Sequence, residues 1–561
     1  MQKEKLRIAL AQINCTVGDL AGNCQKIFDY IKMAEMQGVD IISFPELAIT
    51  GYPPEDLLHK PKFIEDNLKS LKGLVALVNE IVVIAGFVDR DKNSLYNAAA
   101  IIYQGKIQGI YHKMKLPNYG VFDEIRYFKP GQEPLVFSYG KNIFGVNICE
   151  DIWHIDGPAR LQAKLGAGLI FNINASPYHA GKNKEREEIV KCEAEANRIS
   201  IAYTNLIGGQ DELVFDGSSM VIDGKGKIIS RAESFKEDLL ILDLEIARKT
   251  AKPAQKVIKI ADKIPEKIRP ILIKKEASPK ERVAEIYQAL ALGLEDYVAK
   301  NGFKQVVIGL SGGIDSALVA VLASDALGKE NVTGVFMPSR YSSRDSEVDA
   351  RELAKNLGIE LLNVSIEQIY KMYLMVLEPR FAGREKNIAE ENIQARARGN
   401  ILMALSNKFG WLVLTTGNKS EMSTGYATLY GDMAGGFAVI KDVPKILVYK
   451  LAKYRNSLVD VIPQRIFTKE PTAELRPHQK DQDSLPPYEV LDPILKAYVE
   501  EDKELEKIVA LGFDREIVTK VLKLVDKSEY KRRQAPPGIK ITPKAFGRDR
   551  RMPITNGYRG Y

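Results

Sequence analysis

Cysteine is scarce in this chain. Cys15, Cys24, Cys149 and Cys192 are the four among 561 residues, and no two form a CxxC pair. That pattern excludes a zinc ribbon and a disulfide framework and fits a reducing compartment, so a cytoplasmic protein is expected. Long apolar runs are missing as well. The stretch from Leu74 to Val88 is interrupted by Asn79 and Glu80, which excludes a membrane span there. Near the N-terminus, "LRIALAQI" is too short for a signal peptide and reads as a first strand. No internal repeat or low-complexity block is present. A strong overall charge is also missing: the net charge is +7, and its surplus is local, with ten Lys/Arg against two Asp/Glu from Lys527 to Tyr561. Such a tail suits a nucleic acid, a phosphate-rich small-molecule site or plain solvent.

What is present is an ordinary globular composition, 45% hydrophobic and 27% charged, long enough for two large domains or three to four small ones. Residues 1–245 alternate short β-type runs with polar loops and a few helices: "IISF" (41–44), "IVVIAGFV" (81–88), "NAAAIIY" (97–103), "IFGVNIC" (143–149) and "LIFNINA" (169–175). Several are apolar nearly throughout, as in a sheet covered on both faces. Residues 246–279 are rich in Lys and Pro with little helical period, and read as a linker or surface crossover. From 280 to 561 strand and helix patterns alternate, as in a doubly wound parallel α/β sheet.

In the second half, "GLSGGIDSA" (309–317) follows an apolar run and leads into a helical pattern, but lacks the Gly-Lys-Ser/Thr ending of a Walker loop. Ser311, Gly312, Gly313 and Ser316 offer close backbone approach, hydroxyl donors and a helix N-terminus to an anion. Asp315 in the same loop repels phosphate unless Mg²⁺ lies between. The string resembles the PP-loop of the N-type ATP pyrophosphatases, whose fold is adenine nucleotide alpha-hydrolase-like. The resemblance implies that this loop holds the β- and γ-phosphates of ATP as leaving pyrophosphate while an acid attacks the α-phosphate.

"LTTGNKSEMSTGYATLYGDMAGGF" (414–437), "KEPTAELRPHQKDQDSLPPYEVLD" (469–492), "ENIQARARGNILM" (391–403) and "YKRRQAPPG" (530–538) are similar to signature stretches of the NAD⁺ synthetases. The resemblance implies that Glu421 shares Mg²⁺ with Asp315, that Thr416 and Thr472 contact ATP, and that Lys445 lies near its phosphates. It further implies that Asn392, Arg396 and Asp432 contact deamido-NAD⁺. Lys531, Arg532 and Arg533 become candidates for closing over a dinucleotide rather than binding nucleic acid.

In the first half, "GVNICEDIW" places Cys149 at a strand-to-helix elbow, where backbone N–H groups are expected to lower its pKa and cradle an oxyanion. Glu46 in "SFPEL" and Lys113 in "YHKMK" stand at two further strand ends. A carboxylate there serves as general base and an ammonium as oxyanion partner. Lys115 is an in-register rival to Lys113. His154 points away from the elbow if the segment is helical, which weakens a papain-like Cys–His alternative. Over residues 5–245 these words resemble the nitrilase superfamily, which implies an α-β-β-α sandwich, a Glu46-Lys113-Cys149 triad, and Glu124 as accessory glutamate. Tyr119 and Ser176, the latter in "ASPYHAGK", are then expected to hold glutamine.

The order of the halves is similar to that of the glutamine-dependent NAD⁺ synthetases. The resemblance implies small-molecule substrates only (glutamine, ATP and deamido-NAD⁺), no nucleic acid or membrane partner, and a homo-oligomer formed through the synthetase domain. A shielded passage for ammonia is expected, since ammonium is no nucleophile. Three other readings stay open at this point: a PP-loop amidotransferase for another carboxylic acid, an RNA-binding protein using the basic tail, and a nitrilase fused to an inactive synthetase.

Overall fold

The computed structural model describes residues 5–246, 257–272, 275, 277, 280–558 and 560. The chain divides into two compact units with the main boundary between Lys280 and Glu281.

The first unit is built from two sheets whose apolar faces meet. One has six strands, among them Lys5–Gln12, Ile41–Ser43, Val82–Asp91 and Ser94–Tyr103; the other has seven, among them Asn142–Ile148, Leu169–Asn174 and Ser200–Asn205. Leu6, Ile8, Ile84 and Ile101 from the first sheet and Phe144, Val146 and Phe171 from the second form one buried cluster. The opposite face of the second sheet contributes Ile170, Ile201 and Tyr203 to a further cluster with Ala159, Ala163, Val190 and Ala194 from the helices Pro158–Lys164 and Lys182–Asn197. Strands covered on both faces are why these runs are apolar throughout rather than alternating. The result is the α-β-β-α layering expected for this half.

The expected linker, 246–279, lies partly outside the described residues. Within it, Val257–Ala261 forms a strand parallel to Val136–Tyr139 at the edge of the seven-stranded sheet. Ile258 and Ile260 pack against the core of the first unit. The segment that follows is tied to the first strand and the turn after its helix: Arg269 donates to the buried Asp40 (2.7 Å), and Arg7 Nη1, from Lys5–Gln12, donates to the Pro270 carbonyl (2.9 Å).

The second unit holds a five-stranded, wholly parallel sheet in the order Glu360–Asn363, Val332–Phe336, Val306–Gly309, Leu412–Thr415, Phe437–Ala438. From Val306–Gly309 the chain winds outward on one side, then returns through the helix Ile388–Phe409 to place Leu412–Thr415 on the other. The reversal opens a crevice at the carboxyl ends of the two central strands, where ligands of such sheets bind. The basic tail is folded onto this unit. Lys540 pairs with Asp549 (2.6 Å), Lys544 with Asp502 (2.6 Å) and Arg550 with Glu529 (3.1 Å).

Candidate active sites

Cys149 follows the last residue of Asn142–Ile148 and opens the short helical turn Cys149–Trp153. Its φ is 45°, in the left-handed region that non-glycine residues seldom adopt, and its side chain is buried; such outliers cluster at reactive sites. Asp151 holds the elbow in place by accepting from Ile148 N (3.0 Å), Lys115 N (2.8 Å), Met114 N (3.1 Å) and Tyr111 Oη (2.7 Å). This carboxylate ties the cysteine turn to the strand end that carries Lys113. Burial raises its pKa to about 6.

Glu46 is wholly buried. Its Oε1 accepts from Lys113 Nζ (2.7 Å) and Asn97 Nδ2 (2.7 Å), and its Oε2 from Ala175 N (2.9 Å). The loop bearing it crosses Gly86 so closely that a Cβ there would sit 2.4 Å from the Pro45 carbonyl oxygen and from Leu47 N. Lys113 also donates to Glu124 Oε1 (2.8 Å), which accepts from Tyr52 Oη as well (3.0 Å). Desolvation works against the Lys113 charge, but Glu124 and Glu46 outweigh it and hold the ammonium firmly protonated. Lys115, the rival in sequence, offers its backbone N–H to Asp151 instead.

The thiol departs from the expectation of a lowered pKa. Burial pushes Cys149 well above the ordinary thiol range, Glu46 adds to the shift, and Lys113 opposes it. In so closed a site the loss of water outweighs the single cation, so the resting sulfur is protonated and needs a base. His154 is not that base: its Nε2 lies 3.5 Å from Glu150 Oε1 and the ring is about half exposed.

Around the sulfur, Tyr119 Oη donates to Glu150 Oε2 (2.9 Å), and Ser176 Oγ accepts from the buried Arg186 Nε (3.0 Å). Lys182, at the start of Lys182–Asn197, lies over the Trp153 ring with Nζ 3.9 Å from its centroid, within electrostatic reach of Cys149. Sequence reasoning missed Lys182, although it closes the stretch "ASPYHAGK".

Burial also lifts Glu124 to about 7, Lys113 opposing and Glu46 adding. Its ionised form, the one that clamps Lys113, therefore dominates above about pH 7 and is lost as the pH falls through that value. Glutamate release from glutamine is expected to rise through about pH 7. In Glu124→Gln that inflection disappears, which a pH series of kcat/KM for glutamine reads directly.

In the second unit the phosphate-loop candidates line the crevice. Gly312 has φ 75°, and a Cβ on it would meet the Ser346 carbonyl oxygen at 2.5 Å. It shapes the turn, while Ser311, Gly313, Asp315 and Ser316 face the cavity. Ser311 Oγ and Ser316 Oγ are hydrogen-bonded at 3.1 Å. Asp315 Oδ1 accepts from Asn418 Nδ2 (2.9 Å), and its Oδ2 is paired with Lys445 Nζ, which lies 3.7 Å from Glu421 Oε1. Burial, reinforced by Asp315, raises Glu421 to about 8. Two oxygen donors already facing a cationic head group suit a hard divalent ion.

Thr416, Thr472, Asn392 and Asp432 also line this cavity of about 370 Å³. Thr428 joins the last two, its Oγ1 donating to Asn392 Oδ1 (2.7 Å) and its N to Asp432 Oδ1 (2.6 Å). Arg396 is not brought in. It is exposed on the helix Ile388–Phe409 and donates to the Leu429 carbonyl (3.2 Å). Two residues on, about 200° around the helix, Arg398 lines the cavity in its place. Of the tail cations, Lys531 reaches the cavity. Arg532 is buried against the Ser423 carbonyl (2.6 Å), and Arg533 pairs with Glu529 (3.0 Å). These two build the fold rather than close over a ligand.

Comparison with known proteins agrees on both halves. A family model described as carbon-nitrogen hydrolase matches residues 7–253, and one described as NAD synthase matches residues 286–535. The chain is 50% identical to a glutamine-dependent NAD(+) synthetase of Thermotoga maritima, over 99% of both chains. It is equally similar to one of Aquifex aeolicus, over 99% of this chain and all of that one. A solved glutamine-dependent NAD⁺ synthetase from Acinetobacter baumannii, in complex with ADP, is 44% identical and covers both chains fully, with a TM-score of 0.77.

Proposed function

This chain belongs to the glutamine-dependent NAD⁺ synthetases, and from that premise we propose that it amidates deamido-NAD⁺ to NAD⁺, with ATP as activator and glutamine as nitrogen donor. The observation that carries the reading is the pairing, in one chain, of a buried Cys149 beside Glu46 and Lys113 with a phosphate loop whose Asp315 faces Lys445 and Glu421.

In the first unit, Glu46 takes the Cys149 proton as the sulfur attacks the glutamine side-chain carbonyl carbon. Lys113 faces the oxyanion of the tetrahedral adduct. Collapse expels ammonia, with the proton returned by Glu46, and water then hydrolyses the γ-glutamyl thioester to glutamate. Tyr119, Ser176 and Lys182 hold the substrate, the Lys182 ammonium matching its α-carboxylate.

In the second unit, Ser311, Gly313 and Ser316 hold the β- and γ-phosphates, with Thr416, Thr472 and Lys445 as further ATP contacts. The nicotinate carboxylate attacks the α-phosphorus, the α–β bond breaks and pyrophosphate leaves. Ammonia attacks the acyl carbon of the adenylate, releasing AMP and leaving the amide. Asp315 and Glu421 would hold Mg²⁺, which supplies charge neutralisation for the leaving pyrophosphate. Asn392 and Asp432 contact deamido-NAD⁺. Release of AMP and pyrophosphate, assayed against a panel of carboxylic acids with ammonium as nitrogen source, tests this reading. Deamido-NAD⁺ should support turnover, and preference for another acid would replace it with the amidotransferase alternative.

The protein works as a cytoplasmic homo-oligomer joined through the synthetase unit. No disulfide joins the four cysteines, and no helix among the described residues is long and apolar enough to cross a membrane. The helix Glu367–Phe381 exposes Met372, Met375 and Val376 at 55, 62 and 66%. An exposed apolar stripe of this kind suits a second copy of the chain. Met375→Glu is expected to shift the mass measured by light scattering toward the protomer.

A further inference from the structure

Arg398 carries a charge that the described residues answer only in part. Among the described residues its one hydrogen bond is from Nε to the Met337 carbonyl (2.9 Å). A guanidinium has five N–H donors, so the four on its two Nη atoms have no protein acceptor. Burial pulls its pKa down to about 10, and Glu474 offsets only part of that. Glu474 is occupied elsewhere, accepting from Ser343 Oγ (2.8 Å), Ser346 Oγ (2.8 Å) and Lys469 Nζ (2.9 Å). Arg398 is partly buried in the cavity wall, and a guanidinium whose Nη donors find no carboxylate or carbonyl there is placed to take an anionic ligand.

Its place in the crevice says which kind of ligand. Asn392, Ala395, Arg398, Gly399 and Leu402 line the cavity along one side of Ile388–Phe409. The Asn392 end meets Thr428 beside Asp432. The Leu402 end abuts Gly309, where an added Cβ would lie 3.5 Å from Leu402 Cδ1, just before the phosphate loop. Arg398 stands between. Its electrostatic partner Glu474 is bonded to Ser346, whose backbone presses on Gly312 of that loop.

We propose that Arg398 binds an anionic oxygen of the nucleotide substrates, phosphate or carboxylate, at the junction between the ATP end and the deamido-NAD⁺ end of the crevice. This rests on the synthetase reading. Arg398 thereby becomes a substrate-binding residue, in the position that the sequence motif had suggested for Arg396.

The test uses the full-length enzyme and the variants Arg398→Met and Arg398→Gln. ATP and deamido-NAD⁺ are titrated separately by calorimetry, and ammonium-driven synthesis gives KM for each. Wild-type melting temperature is the control for folding. At least about tenfold weaker binding of one nucleotide is expected, the scale of a lost charge-assisted hydrogen bond. Weakening of ATP alone assigns the contact to a phosphate of ATP. Weakening of deamido-NAD⁺ alone assigns it to that substrate's carboxylate or pyrophosphate. If either folded variant keeps both affinities and both KM values within about twofold of wild type, the inference is overturned while the synthetase reading stands. If the wild type binds neither nucleotide, the reading falls first.

Discussion

Cys149→Ala is expected to abolish NAD⁺ synthesis from glutamine, by roughly 10³-fold or more, and to leave synthesis from added ammonium near the wild-type rate. Removing a covalent nucleophile costs on that scale because its partners act only through it. The substitution deletes one buried atom and keeps the Glu46–Lys113–Glu124 cluster intact. The attendant destabilisation is about 1–2 kcal/mol, too little to unfold a unit with a core this large. Parallel assays with the two nitrogen sources separate the outcomes. Equal loss with both would mean that the two-site account is wrong or that the fold has collapsed.

Asp315→Ala is expected to do the reverse. Synthesis falls roughly 10²-fold or more with either nitrogen source, while basal glutamine hydrolysis continues. Asp315 is the partner of Lys445, which is 3% exposed. Removing it takes the nearer carboxylate from that buried ammonium and leaves Glu421 at 3.7 Å, so the cost stays below the about 3–5 kcal/mol of a buried pair broken outright. Asp315→Asn, which keeps the side-chain shape, serves as the milder companion. If its melting temperature matches wild type and synthesis is still lost, the defect lies in the chemistry. Glutamate release measured without ATP reports the surviving half-reaction.

Much of this was legible in the sequence because both sites sit at the ends of apolar strands. Glu46 and Cys149 lie at the ends of runs that read as buried strands, Lys113 follows the more polar strand Lys106–His112, and the parallel sheet carries its phosphate loop directly after Val306–Gly309. Spacing along the chain does not reveal what the third dimension adds. Asp151 reads as one acid in "CEDIW", yet it joins the cysteine turn to the lysine strand through four hydrogen bonds. The thiol pKa moved opposite to expectation, since the elbow suggested helix-end donors and gave no measure of how deeply the sulfur is enclosed. In "QARAR", composition does not separate Arg396 from Arg398; the rotation of that helix against the crevice does, and it is set by tertiary packing. The Lys/Pro-rich 246–279 read as a linker or surface crossover because its strand Val257–Ala261 is short and the partner of a cation such as Arg269 is the distant Asp40.

The most direct test supplies wild-type enzyme with ATP, Mg²⁺, deamido-NAD⁺ and glutamine labelled with nitrogen-15 at the side-chain amide, in buffer containing excess unlabelled ammonium at a concentration too low to drive synthesis alone. Mass spectrometry of the product should find the label in the nicotinamide of NAD⁺, together with one AMP per NAD⁺ formed. NAD⁺ carrying only unlabelled nitrogen, or labelled ammonium released with no NAD⁺ at all, would contradict the transfer of nitrogen from the cysteine-bearing unit to the acid-activating one.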